Sequence, residues 1–168
     1  MDDLREFRDA KDEFFARSTD SPLDHELRHD FDGLDYFPPN PTLVFRLPVQ
    51  PGDEAEVTVG TSDGAQRTYR RAGTVSFEVN GEPARLTLYA TGHSGYFVPF
   101  RDATSGAQSY GAGRYLDIEP NDDGTVTVDF NYAYNPTCAY NEAYSCPLPP
   151  PENWLRVRIE AGEKDFHK

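Results

Sequence analysis

Two histidines one helical turn apart form the first group of residues in this chain that could do chemistry. The segment His25-Glu26-Leu27-Arg28-His29 matches H-E-x-x-H, a pattern in which both imidazoles bind zinc and the glutamate acts as general base. Such sites lie on long buried helices and take a third ligand from elsewhere, whereas this match lies on a short predicted helix among aspartates. A solvated helix face is therefore the favoured interpretation, and a zinc hydrolase using His25, Glu26 and His29 is an alternative.

A second group of polar residues lies on two strand-like runs that flank a turn. The runs cover residues 114–118 and 126–130, and Asn121-Asp122-Asp123-Gly124 separates them. We expect the runs to pair as a hairpin, with Ile118 opposite Val126 and Tyr115 opposite Asp129. That register brings the polar residues of both runs to one end of the sheet.

Arg114 falls on the core side of this predicted hairpin, beside Phe130. A buried arginine needs a carboxylate partner because an unpaired buried charge is very costly. Asp102 and Glu152 are the candidate partners. The pair could serve either a ligand site or the structure alone, as an ion pair that ties a long loop to the sheet.

Three functions remain open for this region. The favoured one is a binding module whose mouth holds a small polar or anionic ligand. The second is an enzyme in which Asp102 or Asp129 acts as general base beside Arg114, and the third is a structural or interaction protein. The residues expected to bind a ligand are Arg114, Tyr115, Asp129, Asn131, Tyr134 and Asn135.

Neither the glycines nor the cysteines indicate a cofactor. Gly111-Ala112-Gly113 precedes a strand, whereas phosphate-binding loops precede a helix. Cys138 and Cys146 could form a disulfide, two buried thiols or half of a metal site, and in a reducing cytosol thiols or a conditional disulfide are the default. A zinc site would need two more ligands, for which His93 and His167 are the candidates.

The charge of the chain bears on its surroundings and partners. The 168 residues carry a formal net charge of −13, and only three of the 16 basic residues are lysines. Such a surface suits a salt-rich cytoplasm, where repulsion is screened. We therefore expect a cytoplasmic halophilic protein whose stability depends on molar KCl. The lack of a basic stripe argues against nucleic acid, and no apolar run is long enough for a membrane span. The oligomeric state stays open.

Helical patterns occupy the first 33 residues. An apolar stripe with acids in its first turn predicts a helix from Asp3 to Arg17. A second helix should begin with Ser21 as cap and Pro22 in the first helical position, and end near Gly33.

Apolar residues at every second position predict strands from residue 42 to residue 160. Asn80-Gly81 is a strong hairpin signal that pairs Phe77 with Ala84 and Val75 with Leu86. Residues 155–159 are expected to form the last strand. The prediction is one mainly β domain over residues 1–168, in which a helical segment (1–33) is followed by a β core (42–160). The core is an antiparallel β-barrel or sandwich of about eight or nine strands, with one or two N-terminal α-helices packed on a rim.

Four motifs resemble one known family. They are Y-G-A-G-R-Y-L-D (110–117), D-F-N-Y-A-Y-N-P-T-C-A-Y (129–140), C-P-L-P-P-P-E-N (146–153) and A-G-E-K (161–164). Together with G-L-D-Y-F-P (33–38), they are similar to the DUF1684 family, a bacterial and archaeal group of unknown function. The resemblance implies an intact single-domain member and assigns no activity or catalytic residue. The family pattern does not include H-E-x-x-H, which weighs against zinc.

Overall fold

The computed structural model describes residues 2–92 and 95–166, beginning with two helices of unequal length. Helix α1 (Asp2–Arg17) confirms the first predicted helix and buries Leu4 and Phe15. Helix α2 (His25–His29) is one turn long, and its cap is Asp24, whose Oδ1 accepts the Leu27 N–H at 2.8 Å. The prediction that Ser21 caps this helix and that it runs to Gly33 is therefore wrong, because the carboxylate of Asp24 caps the turn in its place.

The described residues contain eight strands and four short 3₁₀ turns, the latter at Pro41–Leu43, Phe130–Tyr132, Thr137–Ala139 and Pro151–Asn153. The strands are β1 (Val44–Pro48), β2 (Gln50–Pro51), β3 (Glu56–Gly60), β4 (Gln66–Val79), β5 (Glu82–Ala90), β6 (Tyr96–Phe100), β7 (Arg114–Ile118) and β8 (Thr125–Asp129).

All strand pairs are antiparallel and belong to two sheets. The large sheet has the order β2-β4-β5-β6-β7, with β3 also paired to β4, and the small sheet consists of β1 and β8. Side chains of both sheets meet in one apolar cluster that includes Val75, Leu88, Val98, Leu116 and Val128. Within the described residues the sheets do not close into a barrel, so the sandwich is the correct one of the two predicted architectures.

The hairpin signal at Asn80-Gly81 is confirmed. Phe77 pairs with Ala84 and Val75 with Leu86. Asn80 and Gly81 both have positive φ, at 52° and 82°, as a two-residue hairpin turn requires. The local turn chemistry therefore fixed the register that buries these apolar side chains on one face.

The predicted pairing of β7 with β8 is wrong. Strand β7 pairs with β6, with Arg114 opposite Phe100, and β8 pairs with β1, with Asp129 opposite Val44. In the described structure the two strands stay together only at the turn, through a single bridge from Pro120 to Val126, and then diverge into different sheets. Strand β7 pairs with the strand that precedes it, whereas β8 pairs with β1 at the start of the β core, which a local pattern cannot show.

Residues 155–159, the predicted last strand, form an irregular segment with a bend at residues 156 and 157, outside both sheets. The Leu155 N–H donates to the Arg101 carbonyl at 2.7 Å, and the Ala103 N–H donates to the Val157 carbonyl at 2.9 Å. Ile159 is bound by side chains, as described below. The side chains alternate between buried and exposed as expected. The backbone, however, bonds to residues 101 and 103 and to the side chains of Arg114 and Asp102 instead of to a partner strand.

One buried amide takes the place of strand pairing inside the large sheet. Strands β5 and β6 pair only at Tyr89–Phe97 and Ala90–Tyr96. Beyond these pairs the Asn153 side chain lies between the strands: its Oδ1 accepts the Thr87 N–H at 2.8 Å, and its Nδ2 donates to the carbonyls of Thr87 (3.0 Å) and Pro99 (2.9 Å). Asn153 thereby satisfies backbone groups that would otherwise be buried without partners.

Candidate functional site

The Arg114 guanidinium is enclosed by protein. The residue is fully buried, and its Nη2 lies 3.3 Å from Asp102 Oδ1, which confirms one of the two predicted partners. Nη2 also donates to the Ile159 carbonyl at 2.9 Å, while Nη1 donates to the carbonyls of Glu163 (3.1 Å) and Ala161. Burial lowers the pKa of Arg114, and the Asp102 charge opposes that effect. The arginine therefore holds the backbone of residues 159–163.

The Asp102 carboxylate also accepts hydrogen bonds from backbone N–H groups. Its Oδ2 accepts the Ile159 N–H at 2.7 Å, and its carboxylate also accepts the N–H and hydroxyl of Thr104, at 3.2 and 2.8 Å. Glu152, the other predicted partner of Arg114, forms an ion pair with Arg71 at 2.7 Å.

Asp129 and Asn131 lie together, but they serve a different segment from Arg114. Asp129 Oδ1 accepts the backbone N–H and the side-chain Nδ2 of Asn131, at 3.0 and 2.9 Å. The Asn131 amide in turn accepts the Asn40 N–H at 2.8 Å and donates to the Asn40 carbonyl at 3.0 Å. The pair holds the chain just before β1. Tyr115, which was expected opposite Asp129, bridges Tyr134 through two backbone hydrogen bonds of 2.8 and 3.0 Å.

Three of the predicted ligand-binding residues, Tyr115, Tyr134 and Asn135, line one cleft with a volume of about 670 Å³. The outer face of the large sheet, helix α1 and the loop of residues 134–147 surround this space, which we call the aromatic cleft. Its other aromatic side chains are Phe14, Phe15, Tyr69, Phe97, Tyr140 and Tyr144. Sequence reasoning missed these six because they come from four separate segments.

The rings on the sheet side of the aromatic cleft form a continuous row. Ring centroids lie 5.7 Å apart for Tyr69 and Phe97, 4.7 Å for Phe97 and Tyr115, and 5.7 Å for Tyr115 and Tyr134. Successive side chains of a strand point to opposite faces. Tyr115 and Asp117 of β7 therefore line the cleft, whereas Arg114 belongs to the opposite face.

The inner tyrosines present ring faces rather than free hydroxyls. The Tyr115 hydroxyl donates to the Pro147 carbonyl at 2.5 Å, and the Tyr134 hydroxyl donates to Asp117 Oδ2 at 2.6 Å. Burial raises the pKa of both phenols well above the usual value, and the Asp117 hydrogen bond raises that of Tyr134 further. At neutral pH both stay protonated and act as donors to the protein.

A buried carboxylate, Glu163, lies behind the aromatic cleft. Its side chain is 1% exposed and pairs with the Lys11 ammonium at 2.9 Å. Glu163 also accepts the Asn135 N–H at 2.7 Å and the Tyr140 hydroxyl at 2.6 Å. Lys11 Nζ lies 5.1 Å from the centroid of the Tyr134 ring. The sequence signal that could have found Glu163 is the A-G-E-K motif.

Asn135 supplies a polar atom without a protein partner. The residue is 3% exposed, and its Nδ2 donates to the Lys164 carbonyl at 3.0 Å. Its Oδ1 is buried and accepts no hydrogen bond from the described residues. Since buried acceptors are normally satisfied, a ligand donor is a reasonable partner for this oxygen.

The residues proposed for zinc are not assembled around a common point. His25, Glu26 and His29 are all exposed on α2, and the described part of the chain contains no group of three or more histidine, cysteine or acidic residues that could hold a metal ion. His93 and His167 lie outside the described residues. Cys138 and Cys146 are buried free thiols, and burial raises the pKa of Cys138.

Comparisons with known proteins agree with this architecture. A family model described as "Protein of unknown function (DUF1684)" matches residues 29–164. The chain is also similar to an uncharacterized protein of Haloarcula marismortui solved by solution NMR, with 42% sequence identity and a TM-score of 0.74. That alignment covers 99% of this chain and 95% of the other. No curated protein matches the sequence.

Helix α1, which contributes Lys11, Phe14 and Phe15 to the aromatic cleft, lies outside the range of the family model. Among the described residues, no helix is both long and apolar enough to cross a membrane.

Proposed function

The chain belongs to the DUF1684 family, and on that premise we propose that it binds a small molecule in the aromatic cleft. A volume of about 670 Å³ is in the usual range for ligand pockets, which are mostly apolar and have a few placed polar groups. Two aromatic walls would hold the body of the ligand, one formed by the sheet and the other by α1 and the loop of residues 134–147.

The single observation that carries this proposal is a cleft of ligand size lined by eight aromatic side chains. Asn135 also lines the cleft and keeps one acceptor, Oδ1, without a partner among the described residues. A ligand with an apolar or ring-shaped body and at least one donor fits this arrangement. Tyr115, Tyr134 and Asn135 then contact it directly.

Arg114 acts indirectly in this proposal. By binding the Glu163 carbonyl, it fixes the backbone whose carboxylate receives Lys11, Asn135 and Tyr140. Asp129 and Asn131 likewise hold the approach to β1 rather than a ligand. The enzyme alternative gains no support, because Asp102 and Asp129 already accept protein hydrogen bonds and neither lines the aromatic cleft.

We also infer that the protein works in the cytoplasm of a salt-accumulating cell. The formal charge of −13 supports this setting, because self-repulsion at that charge is relieved only when salt screens it.

Filling the aromatic cleft is expected to abolish ligand binding without unfolding the protein. Thr137 lines the cleft and is exposed, so Thr137→Phe should place a ring in the space that a ligand would take. Small-molecule fragments would be screened against the ¹⁵N-labelled protein in 2 M KCl, with amide shifts as the readout. We expect hits to shift residues of the cleft, and Thr137→Phe to weaken them at least about tenfold.

The matched control is Thr58→Phe, since Thr58 is exposed on β3 and is not among the cleft-lining residues. It should leave every hit unchanged. Fragments that bind equally to both variants, or a complete library without one shift in the cleft, would contradict the proposal.

A further inference from the structure

We infer that the aromatic cleft recognises an organic cation, such as an alkylated ammonium group, with Asp117 and the surrounding ring faces as the recognition site. The inference rests on the proposed function, since it names the chemical class of the ligand for the same cleft. Four observations support it: the position of Asp117, the commitment of the tyrosine hydroxyls, the placement of Lys11 and the balance of charges.

Asp117 provides a carboxylate at the edge of the aromatic row. It lies directly opposite Phe97 in the pairing of β6 with β7 and two residues after Tyr115, so all three side chains share one face. Its Oδ2 accepts the Tyr134 hydroxyl, while Oδ1 accepts no hydrogen bond from the described residues. Asp117 is exposed, so this second carboxylate oxygen is open to solvent and can meet a positive charge at the edge of the rings.

The rings around Asp117 offer π faces to a ligand. Phe97 has no hydroxyl, and those of Tyr115 and Tyr134 donate to the protein. A polyhydroxylated ligand would find few donors on this wall. The negative face of an aromatic ring instead attracts an ammonium group within about 6 Å of its centroid, and aromatic side chains around a cation are the usual means of binding quaternary ammonium.

The protein places one of its own ammonium groups in the same kind of surroundings. Lys11 Nζ lies 5.1 Å from the Tyr134 centroid and 5.7 Å from the Phe15 centroid, with Glu163 as its counterion. Tyr134 thus separates two similar arrangements of ring and carboxylate. Lys11 occupies the inner one, and the outer one, at Asp117, has no cation from the described residues.

The charges that line the cleft are compatible with a cation. Lys11 is neutralised by Glu163, and the Arg67 guanidinium donates to the Ser145 carbonyl at 3.0 Å. Asp20 and Asp117 add two negative charges, so these five groups sum to one net negative charge. This local balance favours a cation over the anionic ligand expected from the sequence.

Choline and its neutral isostere 3,3-dimethylbutan-1-ol test the inference, because they share a shape and differ in charge. Both would be titrated into the ¹⁵N-labelled full chain, with total salt held constant by exchange against KCl. We expect choline to shift the amides of residues 97, 115, 117 and 134 and to bind about tenfold more tightly than the alcohol.

Two variants separate the contributions of the ring and the carboxylate. Phe97→Leu keeps an apolar side chain but removes the π face, so choline affinity should fall about fivefold while the alcohol is unaffected. Asp117→Asn should weaken choline by a similar factor. The controls are Phe7→Leu and Asp122→Asn, which make the same changes outside the cleft lining and should leave choline binding unchanged.

Any other result contradicts the inference, and the pattern of amide shifts shows whether the cation, the site or the whole cleft proposal fails. Equal affinity for choline and the alcohol, with shifts in the cleft, would retain small-molecule binding and reject the cation. The same rejection follows if choline shifts nothing while neutral fragments bind in the cleft. If choline, the alcohol and the fragments all leave the cleft unshifted, the proposed function fails together with the inference. An equal loss of choline affinity in Asp122→Asn would show a general charge effect in place of a site.

Discussion

Replacing Arg114 by methionine is expected to lower the free energy of unfolding by about 4 kcal/mol, in the middle of the range for removing one partner of a buried ion pair. The side chains of Arg114 and Asp102 are 0% and 1% exposed. Methionine fills part of the space, but it leaves the Asp102 charge buried without its counterion. It also removes the donors to the carbonyls of Ile159, Ala161 and Glu163. Both losses act on the same C-terminal segment.

Urea unfolding in 2 M KCl, followed by Trp154 fluorescence, would measure the change. The control Arg46→Met breaks an ion pair with Asp123 whose side chains are 60% and 54% exposed, and such exposed pairs contribute less than about 1 kcal/mol. The double variant Arg114→Met/Asp102→Asn should recover part of the loss, because asparagine keeps an acceptor for the Ile159 N–H without the charge. A cost below about 2 kcal/mol for Arg114→Met, or no recovery in the double variant, would show that the pair is not essential.

Alkaline pH is expected to unfold the protein cooperatively between about pH 11 and pH 12. Tyr89, Tyr115 and Tyr140 are 0%, 6% and 3% exposed, and burial raises the pKa of all three phenols well above the usual value. A pKa that is raised in the folded state gives stability that is complete below the unfolded pKa of about 10 and is lost as pH rises above it. Three such phenols remove about 4 kcal/mol per pH unit once the unfolded chain is ionised.

Tyrosinate absorbance at 295 nm and near-UV circular dichroism, recorded on one sample, would follow this transition. Tyr144 is 41% exposed, so Tyr144→Phe is the control and should leave the midpoint of unfolding unchanged. Tyr89→Phe should shift the transition to higher pH, because phenylalanine keeps the buried ring and removes one ionisable group whose pKa burial raises. Smooth titration of all ten tyrosines near pH 10, with the dichroism intact, would contradict the prediction.

Local chemistry in the sequence was sufficient for several parts of the fold. The turn residues Asn80-Gly81 determined a register, and the alternation of Leu43, Phe45 and Leu47 determined which side of β1 faces the core. These features depend on neighbours within a few residues. Mainly β architecture and family membership followed from many such signals together. The assignment of one domain to residues 1–168 stays a prediction.

Apart from the cap and the length of α2, the errors concern which segments pair. The turn at residues 121–124 has hairpin chemistry, and it does form, but β8 continues along β1 and β7 along β6. Which of several possible strands a given strand pairs with depends on how whole sheets bury their apolar faces. A local sequence pattern does not contain that information. Residues 155–159 alternate like a strand, yet Arg114 and Asp102 bind Ile159 in place of a ladder partner.

The candidate site likewise has one part that the local sequence predicts and another that depends on packing between separate segments. Burial of Arg114 and its pairing with Asp102 were predictable, because a charge among apolar positions requires a partner. Only part of the aromatic cleft was predictable. Tyr115, Tyr134 and Asn135 lie on one stretch rich in motifs, whereas the packing of α1 and β4 brings Lys11 and Tyr69 to the cleft. Whether any of these residues binds a ligand remains for the experiments above.

The Asn153 amide between β5 and β6 has a consequence for the order of folding. The pairing of these strands is completed by a side chain 66 residues beyond Thr87, and such non-local contacts slow folding because a long loop must close first. On the ribosome, where chains emerge vectorially, the large sheet cannot finish its hydrogen bonding until about nine-tenths of the chain has been synthesised. Hydrogen bonding of the central strands is therefore completed only after Asn153 has been synthesised.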